Sequence, residues 1–173
     1  MSVAERLLIG RLKERDEQAF NDIVRLYGDK VFSLVYRMIG NRSEAEDIAQ
    51  EVFVTVFKTV DGFRGESKFS TWLLRIAANH CKNRIKYLSR RHTDGGELDD
   101  EREGALLTRG GSPLQTHIAA LDEEHRLLVV LRDVEELSYQ EIGEITGLAE
   151  GTIKSRLHRA RMAIKEHLDK HTR

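Results

Sequence analysis

The chain has 173 residues, with 28 Lys and Arg against 29 Asp and Glu and a formal net charge of −1. That length suits one ordinary domain or two small ones, and the balanced total by itself says nothing about a nucleic-acid partner. A single cysteine, Cys81, excludes an internal disulfide and a multi-cysteine zinc site.

No stretch is apolar for long enough to span a membrane. The opening Met1-Ser-Val-Ala-Glu-Arg-Leu-Leu-Ile-Gly-Arg is broken by charges and lacks a signal-peptide core. A cytoplasmic location without membrane insertion is the expectation.

One proline, no sustained alternation and recurrent helical spacing predict an all-α fold. A short helix is expected near Ala4 to Lys13, then a longer one from about Asp16 to Ile39, with a bend at Gly28. The third, Ser43 to about Val60, would open on a capping box, Ser43-Glu-Ala-Glu46. Its segment Ser43 to Glu51 carries four acids and no cation, and Val52, Phe53, Val54, Val56 and Phe57 follow. This pattern fits a core helix whose acids complement its dipole. It also fits a core helix that offers Asp47, Gln50 and Glu51 to a basic protein partner.

The fourth helix, about Ser70 to Arg90, lies in a segment, Lys68 to Arg91, with seven cations and no acid. At 100° per residue Trp72, Arg75, Asn79, Lys82, Asn83, Lys86 and Arg90 share one face, and Leu73, Leu74, Ala77, Cys81, Ile85 and Leu88 lie opposite. Cations for phosphates, amides for base edges and an indole beside the Phe63 to Ser67 loop are the ingredients of single-strand binding. The plainer alternative packs Trp72 under that loop and leaves the cations in solvent.

From His92 to Glu103 there are six acids against one Arg, and Thr93 to Ser112 holds five glycines. By composition, 93–112 is a flexible acidic linker between helical modules 1–92 and 113–173. Pro113 would open the next helix, and Asp122 would cap another through Leu127 to Leu131.

The last quarter reads as a helix-turn-helix. Ser138 and Glu141 form a capping box, Gly147 suits a left-handed C-terminal position, and Gly143 permits close approach of the second helix. In that second helix Ile153, Leu157, Ala160, Ile164 and Leu168 form the expected buried stripe. Ser155, His158 and Arg159 lie opposite, flanked by Thr152, Lys154 and Arg156. Gly151 to Arg173 carries seven cations and two acids, and this points to a recognition helix in the major groove. On its own it would equally suit an autonomous repressor or activator, and a basic helix that is merely solvated is the plainer reading. The seven histidines are scattered, and neither metal-ligand spacing nor a phosphate-cradling loop occurs. No catalytic residue, metal or cofactor is expected, and the chain does not read as an enzyme.

Four motifs in order carry a family resemblance: Glu46-Asp-Ile-Ala-Gln-Glu-Val-Phe53, Phe69-Ser-Thr-Trp-Leu-Leu-Arg-Ile-Ala-Ala-Asn79, Leu137-Ser-Tyr-Gln-Glu-Ile-Gly143 and Gly151-Thr-Ile-Lys-Ser-Arg-Leu-His-Arg-Ala-Arg161. Together the chain resembles the bacterial extracytoplasmic-function (ECF) RNA polymerase sigma factors, over nearly its whole length outside the linker. The resemblance implies a transcription initiation factor made of sigma domains two and four. Its partners would be core RNA polymerase, promoter DNA as upstream duplex and opened strand, and an anti-sigma factor. Asp47, Gln50, Glu51 and Phe53 would dock on polymerase. Arg64, Lys68, Trp72, Arg75, Asn79, Lys82, Asn83 and Lys86 would recognise and help to melt the minus-ten element. Thr152, Lys154, Ser155, Arg156, His158 and Arg159 would read the minus-thirty-five element. The chain departs from the family pattern with Leu121-Asp122 where Leu-Pro is frequent, Ala149-Glu150 where Pro-Val is, and Leu74 where an aromatic is.

Overall fold

The computed structural model describes residues 1–93 and 113–171. Apart from its first residue, the expected linker lies outside them. Among the described residues every regular element is helical. The amino-terminal module is built from α1 (Val3–Lys13), α2 (Glu17–Ile39), α3 (Arg42–Thr59), a 3₁₀ turn (Val60–Gly62) and α4 (Phe69–Thr93). The second contains α5 (Pro113–Ala119), α6 (Glu123–Val129), a π turn (Val130–Val134), α7 (Tyr139–Thr146) and α8 (Glu150–His171).

Local chemistry sets the helix ends. Asp16 caps α2 by accepting from the backbone N–H groups of Gln18 and Ala19, and Arg11 beside it holds its carboxyl below the usual range. Within its span α2 passes unbroken through Gly28 and closes on Gly40 at φ 80°. Only Gly40 and Asn41 separate α2 from α3, so α3 starts earlier than the Ser43 box predicts. Asn41 Oδ1 accepts from Glu44 N at 2.9 Å, while Ser43 lies inside the helix and Glu46 pairs with Arg42 at 3.1 Å. Asp122 caps α6 as expected.

In the first module Leu34, Val35 and Met38 of α2 are buried with Ile48, Val52 and Val56 of α3 and Leu73, Leu74, Ala77 and Cys81 of α4. In the second, Ile118, Leu127, Leu128, Leu131, Ile142, Ile153 and Leu157 are buried. Each such branched side chain contributes on the order of 1.5–3 kcal/mol by leaving water. The expected stripe of α8 is buried through Ala160, still packs on the core at the half-buried Ile164, and fails only at Leu168, 41% exposed, where His167 is the residue of that turn that meets α5, through His117.

The linker composition leaves open how the two modules sit relative to one another; in the structure they are docked. Buried side chains of both belong to one connected cluster. At the carboxyl end of α2, Arg126 donates to Met38 O at 2.7 Å and Gln115 to Arg37 O at 3.3 Å. These are carbonyls a helix end cannot satisfy internally. Ser33 bonds Glu135 at 2.9 Å, and Lys68 reaches Glu141 at 2.8 Å.

Candidate nucleic-acid and polymerase interfaces

The turn before α4 is fixed by aromatic packing. Phe63 stands edge-on to Phe69 at 5.3 Å, and Trp72 lies 5.4 Å from Phe63 and 5.6 Å from Phe69. Lys13 holds the Phe63 carbonyl at 2.8 Å, and Gly65 turns the chain at φ 76°. The indole therefore does both things that its sequence position allows: it packs under the loop, yet stays only half-buried. It forms part of an open cleft of about 520 Å³ with Gly62, Phe63, Arg64, Glu66, Ser67, Thr71 and Arg75.

Arg75 at the cleft and, beyond it, Asn79, Asn83 and Lys86 are exposed, and Lys82 is half-exposed. Among the described residues, Arg64, Arg75, Lys82 and Lys86 take part in no ion pair, so these cations are available to an anion. Lys68 is different. It already holds Glu141, and that carboxylate raises its pKa above the ordinary lysine value. The opposite face is the apolar one predicted, with Ile85 and Leu88 only half-buried.

One cleft residue escaped the helical projection. Thr71 is 2% exposed, and its hydroxyl is buried without a hydrogen-bond partner. Its position one residue before Trp72 was the only signal, and periodicity alone reads it as core.

On α3, Asp47, Gln50 and Glu51 are exposed as predicted. Phe53 is not: at 6% exposure it is a core side chain, so it holds the helix in place and does not itself present a surface. Val54, which hydrophobicity assigns to the core, is instead 49% exposed. The spacing 47, 50, 51, 54 places these four on one helical stripe. Glu51 also meets α4, 3.6 Å from Arg84 and 3.8 Å from His80 Nδ1, and Arg84 reaches Glu44 at 3.4 Å. An acid every seventh residue on α3 facing a cation on α4 was readable in principle, but the seam it forms depends on how the helices cross.

The helix-turn-helix is built as its residues dictate. Ser138 Oγ accepts from Glu141 N at 3.1 Å while Glu141 Oε2 accepts from Ser138 N at 2.8 Å, which completes the capping box. Gly147 adopts φ 76°, and a Cβ on Gly143 would lie 3.2 Å from the Leu148 carbonyl. Thr146 closes the turn by donating to Ile142 O at 2.7 Å and accepting from Leu148 N at 3.3 Å.

On α8, Lys154, Ser155, His158 and Arg159 are exposed and Thr152 is half-buried. Arg156 is drawn aside into an ion pair with Glu124 of α6. Lys154 pairs with Glu150 at 2.6 Å and lies 5.2 Å over the Tyr139 ring. Arg161 is anchored to Asp133 at 2.5 Å. The polar set outside these ion pairs is thus His158, Arg159 and Ser155, whose hydroxyl donates to Thr152 O at 3.1 Å, while Arg156 and Arg161 orient the helix. Two basic surfaces, on α4 and on α8, are the result.

The family description Sigma-70 region 2 matches residues 23–91, and Sigma-70, region 4 matches residues 113–164. The chain is 38% identical to the ECF RNA polymerase sigma factor SigW of Bacillus subtilis (strain 168), over 92% of this chain and 94% of that one. It is 34% identical to the ECF RNA polymerase sigma-E factor of Escherichia coli (strain K12), over 94% and 93%. Its fold is similar to that of the sigma factor RpoE from Bartonella quintana, solved in complex with the anti-sigma factor NepR, with a TM-score of 0.74 and 22% identity over 87% of this chain and 96% of that one. The two regions, in order and over nearly the full length of their relatives, show that the chain belongs to the ECF RNA polymerase sigma factors.

Proposed function

We propose that residues 1–92 and 113–173 work as two DNA grips of one initiation factor, bound to core RNA polymerase and controlled by an anti-sigma factor. The observation that carries this reading is the pair of separate basic surfaces, each on a module that matches a different sigma region. The α4 face suits the opened minus-ten strand. Arg64, Lys68, Arg75, Lys82 and Lys86 follow the phosphates, Asn79 and Asn83 meet base edges, and Trp72 stacks; one stacked base contributes about 1–3 kcal/mol. Ser155, His158 and Arg159 suit the minus-thirty-five duplex, with Thr152 and Lys154 near the backbone. Arg156 joins them only if it leaves Glu124.

Asp47, Gln50 and Glu51, supported from within by Phe53 and extended by Val54, form an acidic stripe for a basic polymerase surface. An anti-sigma factor that covers this stripe would prevent polymerase binding. The factor performs no chemistry of its own and acts in the cytoplasm, where polymerase is. Among the described residues no helix is long and apolar enough to cross a membrane.

In the test, the chain is mixed with core polymerase and a cognate promoter. Run-off transcripts are expected, with weak duplex binding by the free chain. Tight sequence-specific duplex binding by the isolated chain, without any association with core polymerase, would refute this reading.

A further inference from the structure

The recognition helix opens on an acid. Glu150 is the first residue of α8, its side chain is 60% exposed, and its Oε1 lies 2.6 Å from Lys154 Nζ, one turn on. Lys154 is steadied in turn by the Tyr139 ring, 5.2 Å away at the start of α7. The Glu150 hydrogen bond, and then its charge, hold Lys154 above the ordinary lysine value, so the ammonium stays charged. An exposed pair of this kind adds little to stability. What it does is fix the position of one carboxylate among the cations Lys154, Arg156 and Arg159.

Two further features leave that carboxylate able to act on a ligand. Among the described residues Lys154 is the one donor that meets it, and a carboxylate has about four acceptor positions. On either side of it Ala149 is exposed, and a Cβ on Gly151 would meet nothing within 4 Å, so its neighbours in the chain leave the approach open.

The groups in place define what they would recognise. In a helix-turn-helix the first residues of the second helix meet base edges in the major groove. Phosphates would repel a bare carboxylate there, but an ammonium donates through several N–H groups, so Lys154 holds Glu150 and still has donors for a phosphate. The pair therefore brings an acceptor into the groove with its charge cancelled. There a carboxylate selects the amino group of cytosine, whereas guanine and thymine present oxygen. Adenine also carries an amino group, but with an acceptor nitrogen beside it, which suits an amide better than a carboxylate.

We propose that Glu150 is a specificity-determining residue of the upstream grip, its carboxylate accepting from the N4 amino group of one cytosine in the minus-thirty-five duplex while Lys154 bridges it to a neighbouring phosphate. This rests on the reading of α8 as the minus-thirty-five helix. Ser155, His158 and Arg159 read their own positions, and Glu150 adds one where the element meets the start of α8.

The test uses the full chain bound to core polymerase, beside its Glu150→Gln and Glu150→Val variants. The templates derive from one transcribed promoter, with each base pair of the minus-thirty-five element changed in turn to each of the others. Run-off transcription at limiting factor gives the base preference at every position. The parent should favour cytosine at one position by roughly 5- to 150-fold, the equivalent of about 1–3 kcal/mol. Glu150→Gln should move the preference at that position to adenine, because an amide pairs with adenine N6 and N7. Glu150→Val should level the bases there. Both variants free Lys154, so a gain common to all templates cancels between them.

Unaltered base ranking in both variants at every position, even with a uniform rise in transcription, would overturn the proposal and leave Glu150 as an acid that complements the helix dipole. Arg159→Ala separates that outcome from failure of the underlying reading: if it still changes the preference at another position, α8 remains the minus-thirty-five helix. If no substitution in the element alters transcription by the parent, that reading fails, and the role of Glu150 with it.

Discussion

The Arg126 guanidinium donates to the carbonyl of Met38 at 2.7 Å and, through its other terminal nitrogen, to Ala119 and Leu121 at 2.9 and 2.8 Å. One α6 side chain thus closes the end of α2 in one module and the turn before α6 in the other. Burial pushes its pKa below the ordinary arginine value, with Glu123 and Asp122 opposing, but a guanidinium remains charged throughout the neutral range.

Arg126→Met should lower stability by about 2–4 kcal/mol, because three carbonyls lose a charged donor. The buried Nε without a partner offsets part of that loss. Urea unfolding of the full chain measures it. A change within error would show that the two modules do not rely on this clamp.

Glu141 supplies a pH dependence. Its Lys68 hydrogen bond lowers its pKa below 4.5, burial opposes this, and the Ser138 bonds add to the lowering. A carboxyl with a lowered folded-state value contributes stability that is complete above its unfolded value and lost as pH falls through the folded one. The parent should therefore lose stability relative to Glu141→Gln only below about pH 4.5, near the unbound glutamate value. Parallel stability curves for parent and variant from pH 7 to pH 3 would count against the pair.

The two arginines of the recognition helix should separate. Arg159→Ala removes an exposed group and should reduce run-off transcription at limiting factor by roughly 5- to 150-fold, the equivalent of one bidentate base contact of about 1–3 kcal/mol, with unfolding unchanged. Arg156→Ala breaks the pair with Glu124 and should shift unfolding of the second module more than it alters base preference. Equal promoter use and equal stability for both variants would refute this division.

Cys81 should be inert. It is fully buried, and burial first, then the Glu123 charge, pushes its thiol up to about 12. Alkylation by iodoacetamide at pH 8 is expected only after urea unfolding. Rapid labelling of the native chain would mean that α4 opens far more readily than its packing allows.

Gly147→Ala should cost roughly 1 kcal/mol, since φ 76° is strained for any residue with a Cβ. Thermal unfolding reads the loss. An unchanged midpoint would mean that the turn re-forms without a left-handed residue.

Helix order, the cap at Ser138, the glycine at 147 and the polar and apolar faces of α4 were all legible. Each depends on residues within one or two turns of one another. The first turn of α3 was misread because Ser43 and Glu46 satisfy the capping pattern just as Asn41 and Glu44 satisfy the geometry. What decided was Gly40, which closes α2 after Ile39, as expected, and leaves Asn41 at the cap of α3. Phe53 and Val54 changed places relative to expectation, since a helix with apolar residues on several sides does not say which side its neighbours will cover. The ion pair of Arg156 was not legible, because its partner, Glu124, is 32 positions away.

By itself, then, the sequence determined an all-α chain of two sigma modules, a recognition helix at one end and a basic aromatic-tipped helix in the middle. Local propensity, capping and periodicity act over a few residues and need no fold to operate. Only the tertiary structure decided which of the cations are free and which are already paired. It also decided that Arg126 caps a helix of the other module and that α7 lies across the cleft at Trp72. Those facts are distances between residues far apart in the chain, set by how two cores pack together, and no local pattern encodes them.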